Sequence, residues 1–218
     1  MVCGCVAGVA VWTVGTVTAP TVTYAVPNAD LAAARTALTT LEVKGRAPLT
    51  GYDRTLFGPA WVDVDGNGCD TRNDVLARDL AEVVLDTAEG TCTVLAGELV
   101  DPYSGQRLAF ARGEDSSAVQ IDHVVALADA WQKGAWRWTD AARQEFANDP
   151  LNLLAVDGAL NQEKGAGDAA TWLPPNTGVR CAYAVRQILV KDRWDLSVTH
   201  AEHDALDREL GRCVTVDE

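Results

Sequence analysis

The chain has 218 residues, 48% of them hydrophobic and 22% charged, which is enough to bury one sizeable core and too apolar for a disordered polymer. Thirty-one acids against 18 bases leave a formal charge of -13, which excludes a broadly basic surface as the glue for nucleic acid or anionic membrane. Three histidines and six cysteines are too sparse for multi-histidine or four-cysteine zinc sites, so histidine chemistry must run through His123, His200 or His203.

Residues 2–19 are almost free of charge and rich in Ala, Val, Gly and Thr. They predict an export leader spanning residues 1–25, with small residues at Thr23 and Ala25 marking cleavage after Ala25, although a basic start is missing. An N-terminal strand or anchor is the alternative. The run is too interrupted for a membrane helix, so no stable span is expected after processing. Cys69, Cys92, Cys181 and Cys213 then remain, an even set suited to disulfides in an exported protein. Their order suggests Cys69–Cys92 and Cys181–Cys213, one of three possible pairings.

Residues 26–50 predict a short helix over 29–41 with Leu31, Ala34, Leu38 and Leu41 on one face, an appendage followed by the flexible KGRAPLTG segment. Residues 51–218 form the main domain. DVDGNGCDTRND fits the first half of a calcium loop, with Asp63, Asp65 and Asn67 at positions one, three and five and Asp74 at twelve. A polar turn capping the next helix is the competing reading. That helix is expected over 73–86, with Val75, Leu76, Leu80, Val83 and Val84 inward, and CTVLAGEL and QRLAFARG flank DPYSG as a hairpin.

VQIDHVVAL, residues 119–127, carries Asp122 and His123 inside an apolar run, where two polar groups are costly unless used. NLLAV predicts a second buried strand opening with Asn152. In GALNQEKGAGD, Asn161 and Lys164 fall one helical turn apart. Tryptophans 131, 136 and 138 are expected in the core, and His200 and His203 on the surface of an acidic helix.

Three ordered blocks, IDHVVAL, NLLAV and NQEKG, resemble the HNH nuclease superfamily. With YDRTLFGPAW, DVDGNGCDTRND and DPYSG the likeness extends to secreted actinobacterial HNH-family endonucleases related to the C-terminal domain of GmrSD-type restriction enzymes. The resemblance implies an α+β fold with a ββα-metal core among helices and hairpins, and hydrolysis of nucleic acid, with DNA the favoured substrate. It implies that His123 is the general base, that Asn152 orients its ring, and that Asp122 and Asn161 hold one Mg2+ or Mn2+ ion. Both are hard oxygen donors suited to magnesium. Asn161 stands where the family's lettering has histidine, which bears on metal preference.

Lys164 is a candidate phosphate contact, the alternative being an exposed lysine at a polar helix end. Arg72 in the family-like CDTR is another. Magnesium together with Arg72, Arg112, Lys133, Lys164 and Arg180 would build a local positive groove on the acidic body. The rival functions are a catalytically silent, calcium-stabilised extracellular binding module on a nuclease-like scaffold, and a phosphodiesterase for something smaller than DNA.

Overall fold

A computed structural model describes residues 24–86, 88 and 92–217. All but the last two residues of the expected leader lie outside the described residues. Strand β1 (Val26–Pro27) begins directly after the expected cleavage point and pairs in parallel with β7 (Thr215–Val216), closing the two ends of the fold together. Helix α1 (Asn28–Thr40) is no appendage. Its Ala34, Ala37 and Leu38 are buried with residues of α6 (Arg180–Arg193) and α7 (His200–Leu210), because small side chains on one face let the helices approach closely. The KGRAPLTG segment is also tied down: Lys44 N–H donates to Val198 O and Ala47 N–H to Gln132 O.

Helix α2 (Thr71–Asp79) starts at Asp70, whose side chain accepts from Asn73 N–H, and ends earlier than its apolar spacing predicts. Leu80 is extended, and residues 81–85 form β2 (Ala81–Leu85) instead. Short apolar runs satisfy both periodicities, and here the paired β-branched Val83 and Val84 side with the strand. Strands β2, β3 (Val94–Val100) and β4 (Arg107–Ala111) make an antiparallel sheet, with the expected hairpin around DPYSG in register from Ala96↔Ala111 to Val100↔Arg107. The turn is built by the fully buried Asp101, whose carboxylate accepts from the backbone N–H groups of Tyr103, Ser104 and Asp157.

Strand β5 (Val119–His123) pairs antiparallel with β6 (Leu153–Asp157), and α5 (Gly158–Lys164) follows β6 without a loop. Between β5 and β6 come α3 (Leu127–Lys133) and α4 (Asp140–Ala147). Trp131 is buried and Trp138 half-buried as expected, whereas Trp136 is 50% exposed, beneath the Arg137 guanidinium. The two disulfides are Cys69–Cys92 and Cys181–Cys213, spanning 23 and 32 residues. Each contributes about 3 to 4 kcal/mol by restricting the unfolded chain.

A buried set of charges locks the helices together. Lys133 Nζ lies 2.6 Å from Asp129, 2.9 Å from Asp168 and 2.6 Å from Glu202; Lys191 Nζ lies 3.1 Å from Asp129 and 2.9 Å from Glu202. Arg46 adds a 2.5 Å contact to Asp168. Burial opposes ionisation of Asp168, but Lys133 and Arg46 outweigh it and hold the carboxyl below the usual range. A carboxyl depressed in the folded state gives stability that is fully present above the unfolded value of about 3.9 and is lost as pH falls further. Denaturant midpoints of the protein and of Asp168→Asn should therefore differ by a constant amount above about pH 5 and converge below about pH 4. A gap that stays constant down to pH 2 would show that the charge of Asp168 is not what stabilises.

Candidate active site

His123 ends β5 with its neighbour Asp122 on the opposite face of the strand pleat. Both are buried, at 8% and 4% exposure, although they lie in an apolar strand. For Asp122, what makes this tolerable is a partner on each carboxylate oxygen. Asp122 Oδ2 accepts from the Tyr103 hydroxyl at 2.5 Å, and Oδ1 accepts from Lys164 Nζ at 2.9 Å; Lys164 also donates to His123 O at 2.8 Å. The Tyr103 phenol is held well above its ordinary value, first by burial and then by Asp122, so it remains a donor.

His123 Nε2 lies 2.8 Å from Ala147 O. A carbonyl can only accept, so the proton of the neutral ring sits on Nε2 and Nδ1 keeps its lone pair. Among the described residues Nδ1 has no hydrogen-bond partner. Burial lowers the imidazole to about 4; the Ala147 carbonyl pulls it back up, and Arg54 and Lys164 press it down further. The ring is therefore neutral and basic-sided at physiological pH. Trp61 stacks on it, centroids 6.3 Å apart and planes 13° from parallel, from a backbone at φ 62°. A left-handed bulky residue costs about 1–2 kcal/mol, which the fold bears at this position beside the imidazole.

Asn152 acts differently from the expectation. Fully buried just before β6, its Oδ1 accepts from Val125 N–H at 2.8 Å and its Nδ2 donates to Val125 O at 3.2 Å. It fixes the chain two residues beyond His123, while Ala147 and Trp61 orient the ring. Asn161 is brought to the site by α5, which is capped by Asp157. Gly158 lets that helix dock: a Cβ there would fall 2.2 Å from Ser117 O. Gln120 Nε2 donates to Ser117 O, so its Oε1 meets Asn161 Nδ2 at 3.0 Å, and Asn161 Oδ1 has no hydrogen-bond partner among the described residues.

These groups share a cavity of about 300 Å3 lined by Tyr52, Arg54, Asp122, His123 and Asn161. Oxygen donors suited to a small hard cation are present there, since each Asp122 oxygen spends only one lone pair on Lys164 or Tyr103 and Asn161 Oδ1 is unpartnered among the described residues. Among the described residues no three His, Cys, Asp or Glu side chains converge in metal-binding geometry. A cavity of about 360 Å3 also touches Tyr103, but its guanidiniums, Arg78 and Arg186, are spent on the carbonyls of Pro150, Leu151 and Leu153.

The cationic groove is corrected by the structure. Lys133 and Lys164 are almost wholly buried in ion pairs, Arg112 is bonded to Val94 O and Asn73, and Arg180 to Pro174 O. Lys164 is thus neither a phosphate contact in this state nor an exposed helix-end lysine. Arg72 is half-buried at the start of α2 and does not line the His123 cavity. Asp63, Asp65, Asn67 and Asp74 do come together in one turn ahead of α2: Asp63 accepts from Gly66 and Gly68 N–H, and Asn67 Nδ2 donates to both Asp65 and Asp74. Sequence reasoning missed Arg54, Trp61 and Tyr103, although all three stand in motifs that carry the family resemblance.

Residues 70–209 match the family described as GmrSD restriction endonucleases, C-terminal domain, and the chain belongs to that family. It is also 40% identical over 190 residues to an "Uncharacterized secreted protein" of Arthroderma benhamiae, covering 86% of this chain and 87% of that protein. No solved structure matches. The family is nuclease-like. A secreted relative and two disulfides are consistent with an extracellular protein, and among the described residues no helix is long and apolar enough to cross a membrane.

Proposed function

We propose that the protein is an exported, divalent-metal-dependent endonuclease of the ββα-metal type, hydrolysing phosphodiester bonds of nucleic acid, with DNA preferred. The observation that carries this reading is the protonation geometry of His123, Nε2–H on Ala147 O and Nδ1 unpartnered, in one cavity with Asp122 and Asn161. A Mg2+ or Mn2+ ion held by Asp122 and Asn161 would neutralise charge on the phosphate and on the departing 3′ oxygen. His123 Nδ1 takes the proton of the attacking water. Lys164 and Tyr103 hold Asp122 in position from the side away from water.

Supercoiled plasmid incubated with and without Mg2+ tests the reading directly. Nicking that requires the ion is expected; an inert protein in Mg2+ and Mn2+ alike would favour the silent binding scaffold. Asp122→Asn and Asn161→Ala should each raise the Mg2+ needed for half-maximal rate by roughly tenfold or more. An unchanged titration in both would remove them as ligands.

A further inference from the structure

With Lys164 and Lys133 turned inward, the site needs another cation to meet its polyanionic substrate. Arg54 lines both cavities that meet at His123, the 300 Å3 one and a narrow slot formed with Phe57, Trp61 and Ala147. It is exposed and makes no hydrogen bond or ion pair to any described residue. In a chain with thirteen more acids than bases, a lone guanidinium beside an imidazole is unexpected. The adjacent acid is withheld from it: Asp53 accepts from Thr55 N–H at 2.8 Å and Thr55 Oγ1 at 2.7 Å.

The backbone that presents Arg54 is firmly held. It begins a single 3-10 turn, Arg54–Phe57, whose Phe57 is 1% exposed and packs 6.2 Å from Phe146. Leu56 O accepts from Arg143 Nε at 3.1 Å, and Tyr52 meets Trp131 edge-on at 5.9 Å. A free, charged, forked donor on a rigid support is what recognition of a tetrahedral anion requires.

We propose that Arg54 is the substrate-binding residue that grips the phosphate of the bond being cut, through two parallel N–H···O contacts in the His123 cavity. This rests on the nuclease reading above and adds the contact that seats the scissile linkage against Nδ1. It also explains how a chain of charge -13 binds a polyanion: one uncompensated guanidinium and the ion do locally what a basic face does elsewhere.

The test uses the full exported chain. In a His123→Ala background, binding of a short fluorescein-labelled duplex in Mg2+ is followed by anisotropy across a salt series. Arg54→Ala should weaken binding by about 10- to 100-fold and flatten the slope of log affinity against log salt by about one. In the otherwise unaltered enzyme the same change should cut plasmid nicking by about 100-fold or more, with the melting temperature unmoved. Arg54→Lys keeps the charge but not the fork, so it should regain the salt slope and little of the rate. Full recovery of rate by lysine would overturn the two-bond contact. If the parent protein neither binds nor cuts, the nuclease reading falls and the contact with it. If the parent does both and Arg54→Ala matches it within twofold in affinity, slope and rate, only the contact falls.

Discussion

Replacing His123 with alanine should lower the rate of plasmid cleavage by about 10^2- to 10^4-fold while the protein stays folded and its Mg2+ titration is unchanged. The expected loss is large because, among the described residues lining the cavity, His123 is the one imidazole and the proposed base. Asp122 is tied to Tyr103 and Lys164, and the Tyr103 phenol is held protonated. The stability cost should be small: the imidazole is neutral, its one hydrogen bond is to Ala147 O, and Trp61 can settle into the space. His123→Gln is a sharper companion, since an amide donor can still reach Ala147 O but no basic nitrogen remains. It should be as inactive as the alanine variant. Turnover near that of the parent in either variant, at equal folded fraction, would remove His123 from the mechanism.

The legible part of this protein was the part whose chemistry clashes with its surroundings. Asp122 and His123 in an apolar strand demand an explanation, and the structure gives one residue by residue. The paired cysteines and the DPYSG hairpin were legible for a related reason, because each is a local constraint. What could not be read were placements decided by distant segments. Lys133 and Lys164 look like surface lysines until Asp168 and Asp122, 35 and 42 residues away, are folded onto them. Arg54 and Tyr103 stand in the family-like YDRTLFGPAW and DPYSG motifs, but their contact with the His123 site is set by segments 69 and 20 residues away in sequence, which neither motif reveals. Helix α1 looked dispensable because its small inward face finds a partner only in α6 and α7, at the far end of the chain. The helix-to-strand error at residues 81–85 had a local cause: a short apolar run extends a helical pattern as readily as it starts a strand, and only its β-branched Val83 and Val84 favour the strand.

Lys133→Met should destabilise the fold more than any surface substitution, by about 3–5 kcal/mol. The Lys133 ammonium touches three carboxylates, from α3, α7 and the segment after α5, and its side chain is 1% exposed. With it, the set is balanced, Asp129, Asp168 and Glu202 against Lys133, Lys191 and Arg46. Without it, Lys191 must serve both Asp129 and Glu202 while Asp168 keeps only Arg46. An unmatched negative charge then lies where water cannot reach, and methionine fills the volume without answering it. For a chain of this size each kcal/mol moves Tm by about 2–4 °C, so a fall of roughly 6–20 °C is expected. Lys44→Ala is the control. Its pair with Glu42 is substantially exposed, and its loss should cost under about 1 kcal/mol. Urea denaturation of both variants with disulfides intact decides the matter. Equal, small losses would mean that the buried charges are readily rehydrated and that apolar packing alone joins α3, α6 and α7. A large loss confined to Lys133→Met would mean that this charge set is what fixes those helices, and with them the chain on either side of the His123 cavity.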